Sequence, residues 1–358
     1  MILVLAVILI ALVFTYTNGF HDTANSIATV VSTKVLTPRQ AIVLATFFNL
    51  IGALVGTAVA STVGSGMVDS NYVNMATIFC AMLSAIAWNL LTWYCGIPSS
   101  SSHALIGGLV GAALASAHGD WSVVIWATEG GHHWWQKGGL FYKVIIPMIT
   151  SPLCGFAGGL CLMSSLYVLL LRCRPKTIAA VFGKLQLASA SYMGFAHGTN
   201  DAQKTMGIIT LALFLATKAG NLDDLPAFLK FLQTPKFEVA RWVQIICGLT
   251  MAIGTAAGGW RIIKTLGQKM VKLQPVHGFA AETTGATILF LTALLGMPVS
   301  TTHAVTTAIM GVGTAKSPRA LKLTVVERII WAWLLTLPAS GLLAYLMQRS
   351  TDFLGWTR

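Results

Sequence analysis

The chain of 358 residues is 55% hydrophobic and only 9% charged, with a mean hydropathy of +0.74. Water-soluble domains carry roughly a quarter charged residues, so this composition excludes one and indicates an integral membrane protein. The formal charge of +12 is spread over many short segments instead of one basic domain, which argues against a nucleic-acid partner and reads as a topology signal.

The opening run MILVLAVILIALVFTYT has no charge and no positive start of the kind a secretory signal shows, so it is expected to be a retained first helix. Further apolar runs centre near residues 51, 84, 158, 186, 250, 288 and 337, most of them long enough for the roughly 20 residues of a spanning helix. Shorter runs follow Asp22, His103, Lys204 and His303. In a bilayer the backbone must close its own hydrogen bonds, as helices or as a barrel, and the period-2 alternation of barrel strands is absent. The expectation is an all-α integral membrane protein, a polytopic bundle of about ten to twelve segments, some of them broken or re-entrant half-helices.

Six cysteines (80, 95, 154, 161, 173 and 247) show no CxxC pair or metal-type spacing, which points to packing roles. Four basic connections, around Lys34 and Arg39, Arg172 to Lys176, Arg261 to Lys272, and Lys316 to Arg328, contrast with residues 64–74, which hold no Lys or Arg. By the inside-positive bias the basic set faces the cytoplasm. Both termini then lie outside, with outer connections near 64–74, 118–143 and 218–241. The last of these runs against the bias, since it holds Lys218, Lys230, Lys236 and Arg241. The HHWW stretch at 132–135 reads as interfacial anchoring.

The chain repeats itself. GIPSSSSHALIGGLVGA from Gly96 aligns without a gap to GMPVSTTHAVTTAIMGV from Gly296, and NGFHDTANS around Asp22 pairs with HGTNDAQKT around Asp201. Two halves, 1–175 and 176–358, are expected to be copies. Equivalent loops fall on opposite sides of the membrane in the charge reading, so the repeat is expected to be inverted, as in many secondary transporters.

A carboxylate inside an apolar segment is costly and faces water or a partner, which makes Asp22 and Asp201 coupling-ion or metal candidates, with Asn200 and Glu282. Gly19 and Gly198 are expected to loosen the helix beside them. In PSSSSH and PVSTTH a proline ends one helix and hydroxyls begin the next. A helix start offers free N–H groups and a positive dipole end to an oxyanion. Ser100, Ser101, Ser102, Ser300, Thr301 and Thr302 are therefore substrate-binding candidates, together with Asn25, Gln203, Lys204 and Thr205. His103 and His303 are expected to fix these helix starts through imidazole hydrogen bonds, and His21 is a candidate proton relay. Moving a dianion into a negative-inside cell opposes about 2.3 kcal/mol per charge per 100 mV. Symport with at least two positive charges follows, because no GxxxxGK[ST] nucleotide signature occurs.

At GFHDTANSIATVV, HGTNDAQKT and both proline-hydroxyl-histidine segments, nearly the whole chain resembles the PiT family of inorganic phosphate transporters, and within it the bacterial low-affinity Pit symporters. The resemblance implies a non-enzymatic symporter for phosphate, carried with protons or sodium, or as a complex with Mg2+ or another divalent ion. It further implies a multi-pass protein of the bacterial plasma membrane, working as a homodimer without a resident cofactor. Phe20-His21 stands where many relatives carry Ala-Asn, which favours protons over sodium, and the linker near 172–186 is shorter than in many relatives. The alternatives are a symporter for sulfate or another tetrahedral oxyanion, an anion channel, and an intramembrane metallohydrolase built on His21, Asp22, His197, Asp201 and His303.

Overall fold

Most of the helices begin where the sequence supplies a cap or a proline. In the computed structural model, which describes residues 2–131, 133–258, 262–263, 265, 272–317 and 321–355, α1 runs from Ile2–Ser32, α2 from Pro38–Ala53 and α3 from Ala58–Ser65. They are followed by α4 (Met75–Tyr94), α5 (Ser101–Ser116), α6 (Ile146–Leu169), α7 (Pro175–Lys218) and α8 (Arg241–Ala257). The last three are α9 (Pro275–Leu294), α10 (Thr301–Lys316) and α11 (Leu323–Phe353). Thr37 with Gln40 and Asn74 with Thr77 form reciprocal capping boxes on α2 and α4. Proline opens α2, α7 and α9, where its missing N–H costs nothing. Arg261, Lys264, Lys269 and Arg319 of the basic loops, and His132 of the aromatic stretch, lie outside the described residues.

The repeated Gly-x-Pro-x-Ser segment is a stop signal followed by a start signal. Gly96 and Gly296 both sit at φ +65 just past α4 and α9, a left-handed conformation that suits glycine. The next residue closes the helix end: Ile97 N–H donates to the Thr92 carbonyl and Met297 N–H to that of Thr292, each at 2.9 Å. Pro98 and Pro298 prevent continuation. Two residues later Ser100 and Ser300 cap α5 and α10, each hydroxyl oxygen accepting from the backbone N–H of His103 or His303 at 3.2 Å. The capping is thus done by serine; the His103 and His303 rings instead meet edge to face with centroids 4.7 Å apart.

Four described helices, α1, α4, the segment Phe141–Leu169 that includes α6, and α11, are long and apolar enough to cross a membrane. The pair α2 and α3 passes the same test as a broken span bent by 72°, with Gly56 at φ +80 in the break. The all-helical, multi-pass architecture read from composition is the one observed. One local expectation fails: α1 and α7 run without interruption through Gly19 and Gly198. These glycines serve close packing. A Cβ on Gly198 would lie 2.1 Å from the Asn49 carbonyl oxygen of α2, and one on Gly19 2.5 Å from that of Met251 of α8.

At the centre, α7 packs against α1, α2, α3, α8 and α9. Flanking it, α5 is covered by α4 and α11, and α10 by α6 and α9. Backbone contact through glycine makes these crossings tight, since a Cβ on Gly111 would meet the Gly341 oxygen at 2.0 Å and one on Gly311 the Phe156 oxygen at 2.1 Å. Residues 66–74 and 117–125 are joined, with Asp69 N–H donating to Val123 O at 2.8 Å and Ile125 N–H to Met67 O at 3.0 Å. His133 stacks on Trp135, at 4.3 Å.

Candidate functional site

The two Asp motifs and the two hydroxyl runs converge. Asp22 on α1 is 3% exposed and Asp201 on α7 1%; together with His197 they bring possible ligand atoms within 4.8 Å of one another. Ser101 at the start of α5 donates to Asp22, and to Asn18 Oδ1 at 3.0 Å. Thr301 at the start of α10 donates to both oxygens of Asp201 at 3.0 Å. The contacts also cross: Thr302 of α10 donates to Asp22 Oδ1 at 3.3 Å and accepts from Asn25 Nδ2 at 2.9 Å, while Lys204 donates to Ser102 of α5. Each carboxylate motif is therefore tied to both short helices.

Lys204 is the one fixed cation among these residues, 1% exposed. Its ammonium donates to Asp201 Oδ1 and to the Val299 carbonyl, the latter at 3.2 Å. His197 Nε2 lies 3.1 Å from Asp201 Oδ2, and its Nδ1 is 2.9 Å from Asn49 Oδ1 on α2, which fixes the ring. His21 Nδ1 contacts Asp22 Oδ1 at 2.8 Å, and its Nε2 faces Thr92 and Ser99 at 3.4 Å. One positive charge faces two carboxylates across a buried cluster, where Coulomb terms are large. The starts of α5 and α10, which meet these carboxylates through Ser101, Thr301 and Thr302, carry the positive end of each helix dipole.

Four buried oxygens of the two motifs lack hydrogen-bond partners among the described residues: Asn25 Oδ1, Ser26 Oγ, Asn200 Oδ1 and Thr205 Oγ1. Most buried polar groups in native structures are satisfied, so unmet oxygens here suit a cation. Two expected site residues make their contacts outside this cluster. Gln203 Oε1 accepts from Val59 N–H at 2.9 Å and its Nε2 donates to Val55 O and Thr199 O, so it caps α3, whose own Thr57 makes no capping bond. Glu282 on α9 lies in a second polar group, accepting from Thr29 and Ser189 at 2.5 Å and from Gln186 at 3.0 Å. Asn18 and Asn49, which orient Ser101 and His197, were not singled out in the sequence; only their place on the polar stretches of α1 and α2 could have marked them.

Residues 18–344, from the first motif to the middle of α11, match the profile of the Phosphate transporter family. The chain belongs to that family. A "Probable low-affinity inorganic phosphate transporter" of Rhizobium meliloti is 44% identical over 351 residues, 98% of this chain and 97% of that protein. A protein of Bacillus subtilis with the same description is 41% identical over 350 residues, 96% and 97% of the two chains. Among solved structures, "The sodium-dependent phosphate transporter" superposes with a TM-score of 0.81 over 99% of this chain and 100% of that one, at 22% identity, a likeness of fold. As a member of the phosphate transporter family, this chain is a membrane transporter and not an enzyme.

Proposed function

We propose that the protein imports inorganic phosphate across the bacterial plasma membrane by symport, with phosphate held between the starts of α5 and α10. The observation that carries this reading is the crossed set of contacts, in which Ser101 and Thr302 reach Asp22 while Thr301 and Ser102 reach Asp201 and Lys204. Helix dipoles, hydroxyls and Lys204 supply the anion-binding half. Asp22, His197 and Asp201 supply the cation-binding half, suited to protons, sodium or a divalent ion arriving as neutral metal phosphate. The carboxylates also select: hydrogen phosphate has a proton to donate to them and sulfate has none. Coupling is assigned to protons, with the His21–Asp22 pair as the carrier and Glu282 as a second acceptor.

Several pairings support an inverted repeat of residues 1–175 and 176–358. Gly198 approaches Asn49 as Gly19 approaches Met251, and Gly52 approaches Phe195 as Gly254 approaches Tyr16. In this reading the halves rock about the shared site to give alternating access. The resemblance and the loop charges supply the homodimer and the outer placement of both termini.

Liposomes holding the purified protein, given labelled phosphate with a proton gradient, a sodium gradient or neither, and with or without Mg2+, test the whole reading. The expected result is saturable uptake driven by the proton gradient, lost in Asp22→Asn. Glu282→Gln is expected to keep phosphate exchange across the membrane but lose accumulation. Sodium-driven uptake would overturn the proton assignment, and transport of sulfate without phosphate would overturn the substrate.

A further inference from the structure

The end of α6 and the starts of α7 and α9 enclose a groove of about 670 Å³, with Met163, Leu170, Leu171, Ile178, Ala179 and Val276 on its wall. Tyr167, also on the wall, is already hydrogen-bonded to His277 at 2.9 Å, which leaves Gln274 as the one other polar side chain there. The groove therefore suits an apolar occupant. The apolar span Phe141–Leu169 ends beside it, so the residues that follow stand at the depth of lipid headgroups. Val168, Leu169 and Leu171 are 68%, 74% and 78% exposed, and the groove opens toward lipid.

Its rim is basic. Arg172, Arg174 and Lys176 stand between the Leu171 and Ile178 walls, and Lys272 comes two residues before Gln274; all four are exposed. Lys316, at the end of α10, donates to the Lys272 carbonyl at 3.1 Å, which adds a fifth positive charge. Neither residues 163–184 nor residues 272–281 include an Asp or Glu, and none of the five cations is ion-paired among the described residues. A soluble anion would answer the rim and leave the groove unfilled, and a neutral lipid would do the reverse. A second copy of the chain, docked symmetrically here, would set one basic rim against another.

We infer that this groove is a binding site for an anionic phospholipid, with one acyl chain between α6, α7 and α9 and the phosphate among Arg172, Arg174 and Lys272. Basic pockets between membrane helices recognise lipid headgroups in this way, through charge at the interface and burial below it. The occupant would touch α6 on one side and α7 and α9 on the other, the helices on either side of the 175–176 boundary between the two halves. The inference depends neither on which anion is carried nor on which face of the membrane the groove lies.

The test is native mass spectrometry of the full-length, delipidated protein titrated with phosphatidylglycerol or with phosphatidylcholine of the same acyl chains. One phosphatidylglycerol per chain is expected to bind at least about tenfold tighter than phosphatidylcholine. Arg172→Gln and Arg174→Gln are each expected to weaken phosphatidylglycerol about fivefold, the usual effect of one basic residue at a membrane surface, and to leave phosphatidylcholine unchanged. Ala179→Trp, an exposed position that fills the groove, is expected to abolish the tight site, and glycerol 3-phosphate is expected not to displace the lipid. Equal affinity for the two lipids in the unaltered protein, a result that needs no variant, would overturn the inference. So would a phosphatidylglycerol preference that survives in Ala179→Trp, or displacement by glycerol 3-phosphate, which would mark a site for the phosphate group alone.

Discussion

Lys204→Met is expected to abolish phosphate uptake and to lower unfolding stability by about 3–5 kcal/mol, the usual cost of removing one partner of a buried ion pair. The side chain volume is nearly conserved, so the effect is electrostatic. Without the ammonium, Asp201 loses its contact partner and faces Asp22 within the same 4.8 Å group, with no fixed positive charge between them. Added cations are then expected to take the place of Lys204. Thermal unfolding of the purified variant should rise far more steeply with NaCl or MgCl2, relative to choline chloride, than that of the unaltered protein. A variant that unfolds at the same temperature and carries phosphate normally would show that Lys204 is not the charge balancing the carboxylates.

Gly198→Ala is expected to be nearly as damaging, although it adds a single methyl group. That methyl would sit 2.1 Å from the Asn49 carbonyl oxygen and 2.8 Å from Asn49 Cα, backbone atoms that move only if α2 moves. Overpacking of this kind costs about 1–3 kcal/mol and at times more. Asn49 also orients His197 at 2.9 Å and donates to Thr255 of α8 at 3.0 Å, so a displaced α2 releases the ring that contacts Asp201. Gly183→Ala is the matched control on the same helix, because a Cβ there meets nothing within 4 Å. It is expected to leave uptake unchanged and to stabilise the helix by up to about 1 kcal/mol. Equal melting temperatures for the two variants in detergent would contradict the packing argument.

Much of the site was legible in the sequence because its chemistry is local. Asp22, Asp201 and Lys204 announce themselves as charges in apolar runs, and Ser100 and Ser300 as caps two residues after a proline. The side-chain partners were harder. Gln203 looks like a ligand in GTNDAQKT, yet it caps α3, a helix more than a hundred residues earlier whose own Thr57 fails to do so. Nothing in the local pattern records that debt. Gly19 and Gly198 carry a similar ambiguity, since a glycine that loosens a helix and one that admits a neighbouring backbone read alike until the neighbour is known. The α2–α3 bend was hidden for a different reason: LVGTA interrupts an apolar run by only a few residues, too little to separate a broken span from a continuous one.

The enclosure of α5 bears on how the protein is made. Every residue from Ser101 to Ala115 is buried, and sixteen helical residues reach only about 24 Å, short of the roughly 30 Å hydrocarbon core. A newly made α5 therefore has no face of its own for lipid and no length to span. One of its two main covers, α11, follows every other described helix in the chain. Until the ribosome has passed Phe353, α5 must wait half-covered beside α4, so its docking is a late step. Chains truncated before α11 are expected to be cleared by proteases instead of accumulating as stable fragments.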